Sequence, residues 1–294
     1  MKKIQCYKTR HGFYELRPRP SLKTLQSYYA SKYYQEGRGS YEVRYGAEEL
    51  QWIKRKSDFR EYLAKKFLSP KAPKNPSVLD VGCGEGFVMN AFLKKGWEVE
   101  GIDFSCEGLK QKNPHLLRYF IKGDLETEVE KKIISGTSYD CILLVNVLEH
   151  VLQPIKIIKK LKKIVRKNGI MLVTVPNDFS TIQLIAETKK LINRRFWLAP
   201  PDHLQYFNTD SLAKTVEACQ WRELATVSDF PIDWFLYHRG SNYIANQKNG
   251  KPAHNARILI EQIILENDFE KVFEFSKSLA GLKMGRDITG IFRN

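Results

Sequence analysis

The feature of this sequence that most restricts its fold is a predicted buried strand that runs straight into glycines. Residues 78–86 are VLDVGCGEG, with glycine at positions 82, 84 and 86. Apolar strands of this kind are typical of parallel sheets covered on both faces, and the glycines leave the next turn nearly free of side chains. In an open parallel sheet, ligands bind beyond the carboxyl ends of the strands. The segment therefore predicts an α/β fold with a ligand site directly after this strand.

Strands and helices alternate around this loop. From the hydrophobic patterns we predict strands at 77–81, 98–103, 117–124, 139–145, 169–176, 223–230 and 287–292. Helices are predicted at 87–96, 154–169, 210–221 and 257–281. Segments that alternate in this way form parallel sheets with helices on both faces. The predicted fold is a Rossmann-like sheet of seven mostly parallel strands.

The chain is predicted to consist of a core with two additions. Residues 76–230 form the core, and 287–294 supply its last strand. Residues 1–75 form a helical, aromatic N-terminal extension, and 231–286 form a helical insertion before the last strand. The extension is expected to form a lid or to lie on the substrate side, and the insertion is expected on the substrate side. The proline-rich segment SPKAPKNP at 69–76 marks the first boundary, because proline ends helices.

The composition argues against several classes of protein. Hydrophobic residues make up 43% of the chain, which is too many for global disorder. The N-terminus has basic residues without an apolar segment, unlike a secretory signal. The five cysteines include no CxxC pair, so we expect neither a disulfide framework nor a zinc site, and we predict no metal. Because no apolar run is long enough to span a bilayer, we expect no transmembrane segment and a cytoplasmic location.

The net charge of +15 has two interpretations. It can indicate an anionic partner, such as nucleic acid, an anionic membrane surface or a phosphorylated substrate. It can also be a solvated, lysine-rich surface, since lysine outnumbers arginine and no RNA-binding motif accompanies it. We favour the second interpretation and expect no nucleic-acid partner.

The glycine spacing alone does not identify the ligand. A dinucleotide site of the form GxGxxG needs glycine at position 87, where this chain has Phe87, and the GK[ST] of a phosphate loop is absent. Acidic residues occur instead near the ends of three strands, at Asp80, Asp103 and Asp124. A carboxylate in the place of Asp103 can accept hydrogen bonds from both hydroxyls of a ribose, and Asp80 is next to where a cationic group would lie. This pattern favours a positively charged nucleoside cofactor.

At these positions the sequence resembles the class I S-adenosylmethionine-dependent methyltransferases. The resemblance is to the small-molecule branch, which includes sugar, surface-polysaccharide and ubiquinone-type methyltransferases. VLDVGCGEG resembles their first motif, VEGIDFS their second, GDLE the segment bordering adenine, YDCILLVNVLEHV their fourth motif and KNGIMLVTVPN their fifth. The resemblance runs from residue 78 to 230 and implies S-adenosylmethionine as the cofactor.

The resemblance also implies a role for each matching residue. It places the glycines of the loop against the methionine end of the cofactor, Asp80 at its amino group and Asp103 at the ribose hydroxyls. Asp124 and Leu125 are implied to flank the adenine ring, and Asn146 to lie beside the sulfonium. The full set of implied cofactor contacts is Asp80, Gly82, Cys83, Gly84, Gly86, Asp103, Phe104, Asp124, Leu125 and Asn146.

Two histidines are the candidates for a catalytic base. Histidine is the usual proton acceptor near neutral pH, and a hydroxyl acceptor must lose a proton. His150 follows the fourth core strand in LEHV, where a capping or packing role is the alternative. His203 lies in PPDHLQYF, which resembles a segment that covers the acceptor pocket in the family, and a structural hydrogen bond is its alternative.

The candidate substrate contacts lie in the two additions. Tyr33 and Tyr34 belong to a tyrosine-rich N-terminal stretch that can close over the site or form a packing cluster. Arg257 and Arg286 form a basic edge suited to phosphate, with a polar loop as the alternative for Arg257.

Together these observations predict an enzyme that methylates a small-molecule hydroxyl. The predicted acceptor is a sugar, in a nucleotide-linked or surface-glycan precursor, and it can carry phosphate. The alternatives are an RNA methyltransferase, a quinone or lipid methyltransferase, and a protein that binds S-adenosylmethionine without catalysis. The sequence gives no indication of an oligomeric state.

Overall fold

The structure, a computed structural model, describes residues 5–20, 25 and 45–294 of the chain. Its strands are β1 (Gln5–Lys8), β2 (Tyr14–Arg17), β3 (Ser77–Val81), β4 (Glu98–Asp103), β5 (Phe120–Lys122), β6 (Tyr139–Val145), β7 (Val165–Pro176), β8 (Gln205–Tyr206), β9 (Arg222–Ser228) and β10 (Asp287–Arg293). Its α-helices are α1 (Ala47–Phe67), α2 (Phe87–Lys94), α3 (Glu107–Lys112), α4 (Leu125–Ser135), α5 (Pro154–Lys162), α6 (Thr181–Thr188), α7 (Thr209–Glu217), α8 (Gly250–Leu265) and α9 (Phe269–Gly281). The predicted acceptor contacts Tyr33 and Tyr34 lie outside the described residues.

Seven strands form the central sheet in the order β5-β4-β3-β6-β7-β10-β9. Neighbouring strands from β5 to β7 are parallel, and β10 is antiparallel to both β7 and β9. The predicted seven-stranded, mostly parallel Rossmann-like sheet is therefore confirmed. The strand order reverses at β3, so the glycine loop lies at the switch point where open α/β sheets bind ligands.

Helices cover both faces of this sheet. On one face the apolar residues of α4, α5 and α7 pack against the core strands, as Val129, Leu161 and Leu212 do. The opposite face is covered by α1, α2, α8 and α9, with Leu63 and Phe92 among the buried side chains. Strands buried on both faces explain why the sequence shows continuous apolar runs instead of alternation.

The helix predicted at 154–169 is too long. Helix α5 ends at Lys162, and β7 already begins at Val165. Val165 lies beside Tyr139 of β6, and the backbone N–H of Tyr139 donates to the carbonyl of Ile164. Ile164 and Val165 are β-branched and favour extended backbone. They leave the helix because hydrogen bonds with the neighbouring strand satisfy their backbone groups.

Two other boundaries differ from the predictions. The helical segment predicted at 257–281 is two helices: α8 ends at Leu265, and the side chain of Asp268 caps α9 by accepting from the N–H of Glu270. The strand predicted at 117–124 is shorter than expected, because residues 117–119 belong to a 3₁₀ helix, Pro114–Tyr119, and only Phe120–Lys122 pair with β4.

A small second sheet was not predicted. Strands β1 and β2 form an antiparallel hairpin, and β2 pairs with β8. Because β8 follows His203 by one residue, the hairpin packs beside a predicted site segment. Among the described residues, no helix combines the length and the apolar character needed to cross a membrane.

Candidate active site

A cleft of about 550 Å³ lies at the carboxyl ends of β3 and β6. This volume is within the range of pockets that hold small ligands. The core supplies one wall, and helices α1 and α8 supply another. The residues that carry the argument below are Asp80, the loop 82–86, Asn146, Glu149, His150, Asp202 and His203 from the core, with Lys56, Arg60 and Arg257 from the helices.

The glycine loop presents bare backbone to this cleft. At Gly82 the backbone has φ +80°, and a Cβ atom there would lie 2.4 Å from the side chain of Val147. Gly86 has φ +75° and is the N-cap of α2. Left-handed backbone favours glycine, and the exposed N–H groups at a helix start attract negative charge. The loop therefore suits close contact with a ligand.

Asp80 is a buried carboxylate with a missing partner. Its side chain is 2% exposed, and its Oδ1 atom has no hydrogen-bond partner. Burial raises the pKa of Asp80 to about 7, and nearby Asp103 adds to this effect while Arg60 opposes it. A buried, unpaired polar atom costs free energy unless a ligand completes it. A cationic group such as an ammonium would supply that partner.

Asp103 holds the glycine loop in place, although it is not itself part of the cleft wall. It is the last residue of β4, and its Oδ2 accepts from the backbone N–H of Gly84 at 3.0 Å. Its Oδ1 accepts from the N–H of Ser105 at 3.1 Å. Burial raises the pKa of Asp103, and the backbone hydrogen bonds from Gly84, Ser105 and Phe104 offset part of that effect.

The other predicted cofactor contacts divide into two groups. Cys83 and Asn146 line the cleft, and Asn146 is held at φ +55° directly after β6. Asp124 is the N-cap of α4, where its Oδ1 accepts from the N–H of Thr127 at 3.0 Å. Asp124, Leu125 and Phe104 are not part of the cleft wall. A cap role for Asp124 was not predicted.

Arg60 is a cleft residue that the sequence did not reveal. It lies on α1, and its Nε atom is buried without a hydrogen-bond partner. Burial lowers the pKa of Arg60, whereas Asp287, Asp229, Asp80 and Glu261 raise it. No local motif marks this position, because the guanidinium meets the cleft only through the packing of α1 on the sheet.

Two histidines and a carboxyl group converge at the cleft. The rings of His150 and His203 meet edge to face, with centroids 4.9 Å apart. Nδ1 of His150 lies 2.8 Å from the carbonyl oxygen of Asp202, so Nδ1 donates and Nε2 is the proton-accepting nitrogen of the neutral ring. That Nε2 is 3.9 Å from Oε1 of Glu149. The structure thus brings together the two histidines that the sequence selected.

Glu149 was not predicted as a site residue. It is 1% exposed, and its Oε2 has no hydrogen-bond partner. Burial raises the pKa of Glu149 well above its usual range, and Asp287, Asp178 and Asp202 raise it further. The raised pKa favours the protonated form, in which the carboxyl group can donate a hydrogen bond.

Glu149, His150 and His203 also form a group with metal-ligand spacing. One ligand atom of each lies within 4.8 Å of the others. Imidazole and carboxylate are common metal ligands. The expectation of a metal-free site therefore stays a prediction, and an assay below tests it.

The two arginines predicted to bind phosphate are engaged by buried acids. Arg257 lines the cleft, but its guanidinium lies 2.8 Å from Asp229 and 3.3 Å from Glu261. Arg286 pairs with Asp178 at 3.0 Å and is not part of the cleft wall. Their charges are largely compensated inside the protein.

The cleft fits S-adenosylmethionine on chemical grounds. The orphaned Asp80 oxygen matches an ammonium, and the glycine loop leaves room for the methionine end. Arg60 offers a planar cation for a carboxylate. Asp103 closes the loop at the end of the next strand, where a ribose would follow.

This chain spans only part of the length of the curated relatives that it matches. The "Ubiquinone biosynthesis O-methyltransferase" of Pelagibacter ubique (strain HTCC1062) is 31% identical over 109 residues, which are 37% of this chain and 45% of that protein. Among the relatives compared, the chain spans between 40% and 64% of their length.

Solved structures are similar over nearly the whole chain. A "SAM dependent methyltransferase from Archaeoglobus fulgidus" has a TM-score of 0.50 at 17% identity, covering 92% of this chain and 99% of that one. The plantazolicin methyltransferase BamL, solved with a triazolic desmethylPZN analog and SAH, has a TM-score of 0.52 at 14% identity and covers 92% and 95%. At these identities the likeness shows the fold.

The family comparison covers more than half of the chain. The family described as "Methyltransferase domain" matches residues 51–225. This range includes most of α1, the glycine loop, and the segments that carry His150 and His203. The chain therefore belongs to the methyltransferase domain family, and its fold is that of class I S-adenosylmethionine-dependent methyltransferases.

Proposed function

We propose that the protein transfers a methyl group from S-adenosylmethionine to a hydroxyl of a sugar, in a nucleotide-linked or surface-glycan precursor. The observation that carries this proposal is the meeting of His150 and His203 at the same cleft as the glycine loop. A hydroxyl nucleophile has to lose a proton during transfer, and an imidazole in this place can accept it.

The cofactor supplies an activated methyl group on a sulfonium, so the protein has to align and desolvate the reactants. In our proposal Asp80 binds the amino group of the methionine end, Arg60 binds its carboxylate, and Asp103 holds the ribose hydroxyls. Asn146 lies beside the sulfonium. Cys83, Phe104, Asp124 and Leu125 remain proposed contacts of the nucleoside end.

We propose His203 as the base, with His150 as the alternative. Nδ1 of His150 is held by the carbonyl of Asp202, which fixes the orientation of that ring against His203. Burial favours the uncharged form of Glu149 beside these rings. Tyr33, Tyr34 and Arg257 remain proposed contacts of the acceptor.

A polar acceptor suits the far end of the cleft. Lys56, Arg257 and Asp287 line it, and such side chains can hydrogen-bond sugar hydroxyls. The neighbouring apolar cavity, under α1 and α9, has a volume of only about 60 Å³. That space is too small for a long hydrocarbon tail.

A quinone precursor is the second candidate acceptor. The observation that favours it is the name shared by the curated relatives, which are ubiquinone biosynthesis O-methyltransferases. Both candidates present a hydroxyl to the same base, so they differ in the acceptor and not in the chemistry.

The identity of the acceptor can be tested with cofactor labelled on its methyl group. We expect the purified protein, incubated with labelled cofactor and fractionated cell extract, to place label in the phosphorylated-glycan fraction, at the same rate with and without EDTA. His203→Ala serves as the inactive control. Label in the quinone fraction would select the second candidate, loss of activity in EDTA would refute a metal-free site, and label in RNA or in no fraction would refute the proposal.

Asp80 makes cofactor binding depend on pH. Because its pKa is about 7 and an ammonium ligand binds the ionised form, affinity should rise with pH up to about 7. Below that pH we expect a loss of about tenfold per pH unit. Calorimetric titration with S-adenosylhomocysteine between about pH 5.5 and 7.5 measures this. Asp80→Asn should bind more weakly and with little pH dependence, and a flat wild-type curve would contradict the role of Asp80.

A further inference from the structure

A concentration of basic side chains lies outside the cleft. A groove of about 950 Å³ runs between the β1–β2 hairpin and helix α5, and we call it the hairpin groove. Apolar atoms of Phe13, Leu152, Pro154 and Ile155 lie between its two walls. Its basic side chains are Lys8, Arg10, Arg17, Arg19, Lys156, Lys159, Lys160 and Lys163, against the single acid Glu15.

Half of these cations are already paired. Arg17 and Arg19 both bind Glu15, and Lys156 and Lys160 bind acids of α4. Within the described part of the chain, no carboxylate lies at ion-pair distance from the other four, which are Lys8, Arg10, Lys159 and Lys163. Arg10, Lys159 and Lys163 are solvent-exposed. The groove thus concentrates positive charge on two separate elements that face each other.

Burial and the positive charge of the groove lower the pKa of His11, which lines it. Burial lowers the pKa of His11, and Arg10, Lys214 and Lys159 lower it further. This positive field contrasts with Arg257 and Arg286, which buried acids compensate. The hairpin groove therefore offers uncompensated positive charge to an anionic part of an acceptor.

The groove and the cleft are lined by neighbouring residues of the chain. His150 lines the cleft and Leu152 lines the groove, so a single residue, Val151, separates them along the chain. The side-chain amide of Gln205 on β8 donates to the carbonyl of Val151 and ties the hairpin sheet to this rim. A ligand with its reacting hydroxyl at His203 can extend over this rim into the groove.

We propose that the hairpin groove binds the phosphate groups of the acceptor, in the form of a soluble nucleoside diphosphate that carries the sugar. Two facing rows of cations fit a short chain of phosphates, and a concave groove suits such a chain better than a flat lipid surface. Lysine ammonium groups bind phosphate as point charges, and Arg10 adds a planar donor. This inference rests on the proposed function for the link to a sugar, but its test does not need turnover.

Charge reversal tests the groove directly. The variant Arg10→Glu/Lys159→Glu/Lys163→Glu is compared with Lys71→Glu/Lys74→Glu/Lys271→Glu, which reverses three exposed lysines far from the groove along the chain. The proteins are saturated with S-adenosylhomocysteine to block the cofactor site. They are then titrated with inorganic pyrophosphate and with uridine diphosphate at low salt. Thermal midpoints check that both variants are folded.

We expect wild type and the control variant to bind both probes within about twofold of each other, and the groove variant to bind at least about tenfold more weakly. Binding by wild type should also weaken steeply as salt is added, because exposed charges are screened. Equal binding by the two variants would overturn the proposal. So would the absence of probe binding together with flotation of wild type on vesicles that contain phosphatidylglycerol, which would indicate a membrane surface.

The titration and the methyl-transfer assay together separate the proposal of a phosphate site from the proposal of a sugar acceptor. If the groove variant loses its affinity for pyrophosphate while no glycan fraction accepts a labelled methyl group, the proposal of a sugar acceptor is wrong and the proposal of a phosphate site stands. If methyl transfer to a glycan occurs with equal KM in both variants, the groove does not contact the acceptor.

Discussion

Replacing Asp103 with alanine is expected to weaken binding of S-adenosylhomocysteine by about 100-fold or more. Hydrogen bonds to a charged acceptor contribute about 1.5–3 kcal/mol each, and a ribose offers two hydroxyls to this carboxylate. The substitution also releases the N–H groups of Gly84 and Ser105, so the glycine loop loses support. Calorimetric titration of the purified variant measures the effect.

Two controls make this result specific to Asp103. Glu98→Ala changes an exposed acid at the opposite end of the same strand and should bind like wild type. Asp103→Asn keeps the shape but removes the charge, and it should lie between wild type and alanine. Wild-type affinity in a folded Asp103→Ala variant would exclude the ribose role.

The second large effect is expected at His203. Removing a general base lowers turnover by about 100- to 10,000-fold, whereas the affinity for the cofactor should change by less than about threefold. Single-turnover kinetics with His203→Ala, measured across pH, separates chemistry from binding. The limb of the pH profile that reports deprotonation of the base should disappear in the variant.

Matched histidine variants assign the base. His238→Ala alters an exposed histidine outside the cleft and should leave turnover unchanged. His150→Ala should lower turnover less than His203→Ala if His150 only positions its neighbour, and the reverse order would make His150 the base. A fully active His203→Ala variant would clear His203 of any role in proton transfer.

The cofactor end of the site was predictable because its determinants are local. A strand, three glycines and a carboxylate at the next strand end follow one another within 26 residues, from 78 to 103. Each imposes its own conformation: the apolar strand seeks a buried sheet, and left-handed backbone at the turn requires glycine. The right-handed βαβ connection then brings the two strand ends to the same edge.

The boundary errors arose where local and non-local preferences compete. At Val165 the helical pattern of the sequence continues, but the chain forms a strand there because its backbone pairs with β6. In the 257–281 segment, Asp268 favours a cap over a continuous helix. Patterns of apolar residues do not predict where such elements end, because the end depends on contacts with a neighbouring strand or helix.

By itself the sequence determined the fold class and the position of the glycine loop, since these depend on residues close together in the chain, and it named His150 and His203 as candidates. Only the tertiary structure decided which charges are available. It paired Arg286 with Asp178, 108 positions away, and brought Arg60 from α1 to the cleft. It also set the N-terminal hairpin against α5 to form the basic groove. Charge compensation depends on distance in space, and a sequence does not contain those distances explicitly.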